Sequence, residues 1–166
     1  MEITLYGALR FAHLIGVFVF LLGHGVSVGV SFRLRKEKDR ARIAALLDLS
    51  ASSYLGFAIG FLLILGSALG MAALASWWGA GWWWAAFIGF WVMAIVMTPY
   101  AAARYGRVRR ALGLKLPMGA KPKGEAPVLS DEQIAETLAK VNPWVLSVIG
   151  FGGIAVLAFL MTFKPF

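Results

Sequence analysis

Only two residues of this 166-residue chain carry an imidazole, His13 and His24, and both sit in an uninterrupted apolar stretch. They are eleven positions apart. On a helix that spacing is three turns plus about 20°, so both rings share one face, about 16 Å apart along the axis. If the stretch crosses a membrane, one ring lies in each leaflet, about 8 Å either side of a midpoint between Phe18 and Val19. Ionisable side chains inside a bilayer are costly and usually functional. Three chemistries use imidazole there: hydrogen bonding between helices, a path for protons or metal ions, and axial ligation of haem iron.

The neighbours of the rings suit the third chemistry. Gly16 and Phe20 lie on the same stripe, leaving a small residue beside His13 and an aromatic between the two levels. Arg10 falls one turn before His13, and Arg33 beyond His24, where each could pair with haem propionates. The candidate cofactor-binding set is therefore His13, His24, Arg10, Gly16, Phe20 and Arg33, with haem b expected at two levels. Six-coordinate haem needs a second ligand at each level, and rings about 16 Å apart cannot share one iron. A parallel two-fold homodimer would set His13 against His13 and His24 against His24. Methionine is the other source of a second ligand: Met71 and Met161 toward the outer level, Met93 and Met97 toward the inner.

The chain has no cysteine, which excludes disulfides, iron–sulfur clusters and thiolate metal sites. No phosphate-binding loop, metalloprotease helix or nucleophile–base pair appears. Ser27 and Ser31 follow His24 at helical spacing and are read as bonding backbone carbonyls or each other.

These residues must be positioned by membrane-spanning helices. The chain is 60% hydrophobic, and four stretches meet the requirement of about 20 apolar residues: residues 5–32, 49–75, 82–103 and 143–163. They do not alternate as barrel strands would, so the expected fold is an all-α bundle of four transmembrane helices in one domain. Of sixteen basic residues, fourteen fall in the connections 33–48 and 104–142; only Arg10 and Lys164 lie elsewhere. That bias makes the two connections cytoplasmic and puts both termini outside. It also accounts for the net charge of +8 through membrane lipid rather than nucleic acid.

The short link Ser76–Gly81 predicts a tight antiparallel hairpin of the second and third spans. Trp77, Trp78, Trp82, Trp83 and Trp84 flank it as an interfacial anchor. Gly25/Gly29, Gly56/Gly60 and Gly66/Gly70 have the small-xxx-small spacing of closely packed helices. The stretch Leu116–Val128 is expected to be irregular. After it, Ser130 and Gln133 form a capping box for a short amphipathic helix presenting Ile134, Leu138 and Val141, expected to lie along the inner interface before Pro143 opens the last span.

Two resemblances follow from these residues. The run Arg10-Phe11-Ala12-His13-Leu14-Ile15-Gly16, the long first helix and the Trp-rich hairpin resemble an uncharacterised family of small bacterial integral membrane proteins, distantly like the copper-resistance D proteins. That likeness implies the bacterial inner membrane and copper handling at His13, with Met93 and Met97 the one pair that could form a soft site. The paired same-face histidines are similar to the ligand helix of dihaem membrane cytochromes b, which implies electron transfer to a quinone or a periplasmic partner. Metal-ion or proton transport through His13 and His24, and a non-catalytic assembly or scaffold subunit, are the other expectations.

Overall fold

The computed structural model describes residues 4–117, 120–121 and 124–166. Helices α1 (Leu5–Leu34), α2 (Arg40–Ala75) and α3 (Gly81–Ala111) are followed by a short α4 (Asp131–Ala139). The last, α5 (Pro143–Phe163), contains a π-helical turn at Val148–Gly152. Four of these helices are long and apolar enough to cross a membrane. At 36 residues, α2 is about 54 Å long, well beyond the roughly 30 Å of a hydrocarbon core. Helices α2 and α3 therefore carry helical structure into the basic segments at 40–48 and 104–111, beyond the apolar stretches themselves.

Helices α1 and α2 form an antiparallel pair whose register is written in their contacts. Reading from the tryptophan-bearing end, His13 meets Ser67, Gly16 meets Leu63 and Ile64, Phe20 meets Gly60, Gly23 meets Phe57, and Ser27 meets Ser53. The backbones touch at the middle of this series. A Cβ added at Gly60 would stand 2.7 Å from the Phe20 backbone nitrogen and 2.9 Å from the Gly16 carbonyl oxygen. Gly70 packs against Leu9 in the same seam. A Cβ added at Gly25, Gly29, Gly56 or Gly66, however, would meet nothing within 4 Å beyond its own helix backbone. Small residues thus do set the approach, through Gly16, Gly23 and Gly60 more than through the expected pairs.

The expected hairpin of α2 and α3 is replaced by a different pairing. Ser76, in the left-handed conformation with φ 54°, ends α2, and a 3-10 turn at Trp77–Gly79 leads into α3. The two helices then diverge: α3 packs mainly on α5, as α1 does on α2. Bulk explains the separation. Phe57, Phe61 and Phe90 fill the space between the pairs, with Phe61 and Phe90 stacked at 5.1 Å.

Opposite the tryptophans, the basic end is closed by α4. The capping box is present: Gln133 N–H donates to Ser130 Oγ, and Ser130 N–H donates to Gln133 Oε1. Ile134, Leu138 and Val141 are turned inward rather than toward an interface, packing with Leu34, Ile43, Leu47 and Val108 in the largest buried cluster. Arg40 pairs with Asp131 and donates to the Leu129 carbonyl, tying α4 to the start of α2. Arg109, only 4% exposed, donates to Asp48 at 2.7 Å and to the Lys115 carbonyl, joining α3 to α2. Tyr105 donates to Ser31, which donates to the Ser27 carbonyl. Between Leu112 and Ser130 the described residues form no α-helix; Met118, Gly119, Pro122 and Lys123 lie outside the description.

The glycine seam yields a test. Gly60→Val must push α1 and α2 apart and should lower thermal stability in detergent markedly, by about 1–3 kcal/mol or more. Gly56→Ala, one turn away in open space, should leave the melting temperature within error.

Candidate functional site

The divergence of α2 from α3 leaves a cavity of about 520 Å³ at the tryptophan end, walled by all four long helices. That volume lies within the roughly 300–1,000 Å³ of small-molecule and cofactor sites. Its walls are aromatic and apolar, with Phe20, Trp82, Trp83, Phe87 and Phe90 prominent. The polar and sulfur-bearing side chains outside the tryptophans are few: Tyr6, Arg10 and His13 from α1, Met71 from α2, and Met161, Thr162 and Lys164 at the end of α5.

His13 is held by one hydrogen bond to α2: its Nδ1 lies 3.0 Å from Ser67 Oγ. The Ser67 hydroxyl has a single proton and also faces the Leu63 and Ile64 carbonyls. With that proton on a carbonyl, Ser67 offers His13 a lone pair, Nδ1 carries the ring proton and Nε2 is the bare nitrogen; with it on Nδ1, the ring proton sits on Nε2. Nε2 is buried and has no hydrogen-bond partner. A buried imidazole nitrogen without a partner is uncommon and unfavourable, and the first arrangement is the tautomer that offers Nε2 as a metal ligand, with Nδ1–H anchored behind it.

His24 has different surroundings, although it shares the stripe. It is 2% exposed, against 9% for His13, and its Nε2 also lacks a partner. Its ring is wedged into α5 at the π-helical turn, edge-on to Phe151 at 4.7 Å and approaching the Leu146 carbonyl. A Cβ on Gly150 would collide with Nε2 itself. The α5 backbone thus closes directly against the Nε2 edge of the His24 ring. Both rings are buried within the one chain.

The other expected residues separate likewise. Phe20 lines the cavity and packs edge-on against Phe57 at 4.8 Å. Arg10 stands exposed at the cavity rim. Gly16 gives no room to a cofactor, because a Cβ there would lie 2.8 Å from Leu63 Cβ: the space is filled by α2. Arg33 is exposed at the far end of α1. Met71 and Met161 share the cavity with His13. Met97 packs in the basic-end cluster, and Met93 lies against Gly153, so this pair is not part of the cavity wall.

Four contributors lie outside the set expected from the sequence. Ser67 lies 54 positions from His13, and only the α1–α2 register brings them together. Trp82 and Trp83, grouped with the anchoring tryptophans, are buried in the cavity wall, whereas Trp78 and Trp84 remain exposed. Lys164 reaches the same cavity from the end of α5.

The tautomer that frees Nε2 can be read directly. In ¹⁵N-histidine-labelled protein, His13 should show the Nδ1–H form, and Ser67→Ala should convert it to a mixture of tautomers; a wild-type Nε2–H signal would contradict the arrangement. Compared with family models, curated proteins and solved structures, the chain matches none, and the functional reading rests on its residues and their geometry.

Proposed function

We propose that this chain is a b-type cytochrome-like membrane protein, holding haem in the tryptophan-end cavity with His13 as axial ligand and passing electrons at that face of the membrane. The observation that carries this reading is the buried Nε2 of His13, without a hydrogen-bond partner in the wall of an aromatic cavity while Nδ1 bonds Ser67. Haem bound there would supply one-electron chemistry, while the chain supplies the ligand, a low-dielectric wall and the exclusion of water. Met71 and Met161 are the candidate second ligands within the same chain, so the reading needs no homodimer to complete the iron. A histidine–methionine pair would also raise the reduction potential.

The level at His24 is not favoured as a second haem site, because Gly150 abuts its Nε2. The two-haem wire across the membrane reduces to one redox site near one face. From the distribution of basic residues we read that face as the outer one and the membrane as a bacterial inner membrane. A quinone or a periplasmic protein is then the natural exchange partner. Copper or another metal ion as cargo has less support: among the described residues no three His, Cys, Asp or Glu side chains gather into a binding group. A purely scaffolding role leaves the cavity and the unpartnered imidazole nitrogen unexplained.

The reduced-minus-oxidised spectrum of protein purified from haem-replete membranes should show b-type bands. They should be lost in His13→Ala and retained in His24→Ala. Their absence from the wild-type protein, or their survival in His13→Ala, would rule the assignment out.

A further inference from the structure

Fourteen of the sixteen basic residues belong to segments 33–48 and 104–142; the two exceptions, Arg10 and Lys164, both line the tryptophan-end cavity. They are 154 positions apart, since 164 − 10 = 154, and come from opposite ends of the chain. Neither forms an ion pair among the described residues. All the described carboxylate side chains lie between Glu37 and Glu136, in or beside the basic segments. The mouth of the cavity therefore carries two cations, neither ion-paired. The carboxylate of the last residue, Phe166, lies at the same end and accepts from Trp82 N–H, and Glu2 lies outside the described residues.

Lys164 is placed there by structure. It is the left-handed C-cap of α5, with φ 47°, and its N–H donates to the Leu160 carbonyl at 3.0 Å. Beyond it the chain turns back over the start of α3. Trp82 N–H donates to the Phe166 carboxylate at 3.1 Å, and the Phe166 ring covers Gly81. The ammonium stands 5.1 Å from the centroids of both Trp77 and Trp82. Cation–π contact holds an ammonium in place while leaving its N–H donors available to an anion.

We infer that the cavity takes its occupant as an amphiphilic anion, with the apolar plane held among the aromatics and the carboxylates gripped at the mouth by Arg10 and Lys164. This rests on the haem reading, deepens it by fixing which edge of the macrocycle faces outward, and adds Lys164 to the binding residues. An apolar body below two cations, one fixed between tryptophans, matches the division of a tetrapyrrole into a hydrophobic ring and an acidic edge. Charge-assisted hydrogen bonds from a guanidinium and an ammonium are strong where water is scarce.

The test uses full-length protein from haem-depleted cells, in detergent, titrated with ferric protoporphyrin IX and separately with its dimethyl ester, which keeps the ring but has no carboxylate charge. The diacid should bind about tenfold or more tightly than the ester. Lys164→Gln and Arg10→Gln should each weaken the diacid severalfold and leave the ester unchanged, and Lys164→Arg should restore tight diacid binding. Unchanged elution volume and helical circular dichroism would show that the variants are folded. Equal affinity for acid and ester would overturn the inference while leaving the haem reading intact, as expected if the two cations only anchor to lipid phosphate. A diacid preference that survives both substitutions would overturn the assignment to Arg10 and Lys164. If neither porphyrin binds, the inference and the haem reading fall together.

Discussion

The rest of the structure depends on the backbone contact between α1 and α2 at Gly60. There is no room for a side chain between Gly60 and the turn Gly16–Phe20, so the two helices meet at one register and one separation. Within a bilayer, where lipid tails are as apolar as leucine, close packing and interhelical hydrogen bonds replace the hydrophobic effect as the cohesive force. The seam supplies both. About two turns from Gly60 along α2 in one direction, Ser67 meets His13; about two turns in the other, Ser53 meets Ser27. A slip by one residue would break the first of these bonds and with it the ring orientation that leaves Nε2 without a partner.

The second consequence is architectural. With α1 bound to α2, and α3 to α5, the four long helices form two pairs rather than a chain of hairpins. Aromatic side chains fill the middle of the gap between the pairs, where Phe20, Phe57, Phe61 and Phe90 meet. At one end α4 closes the gap with Ile134 and Leu138. At the other the gap stays open as the cavity beneath the tryptophans. The same pairing brings His13, Met71 and Met161 from three helices into one wall.

Much of this was legible in the residues. The four spans follow from apolar length, a demand of the bilayer that leaves little freedom, and the cap of α4 follows from Ser130 and Gln133, whose hydrogen bonds are local. What was not legible is tertiary. Gly25 and Gly60 are the same residue type at similar spacings, yet one faces open space and the other a backbone; only the partner helix tells them apart. His13 and His24 share a stripe, as the helical period requires, but α1 is 30 residues long and its neighbours change along it, from α2 and a cavity at one level to the π-helical turn of α5 at the other. Helix ends also exceeded the apolar runs, because Arg40–Asp48 and Arg104–Ala111 continue in helical geometry without being apolar. Lys164 carried one signal, its place outside the basic connections, which it shares with Arg10.

A haem site on His13 that is independent of His24 fixes the haem-to-chain stoichiometry, measured by pyridine haemochrome against amino-acid analysis in the wild-type protein and in His24→Ala. One haem per chain is expected in both. A ratio near zero in the wild type would contradict it outright, and a ratio halved in His24→Ala would show that both histidine levels carry haem, as in the paired arrangement of two copies.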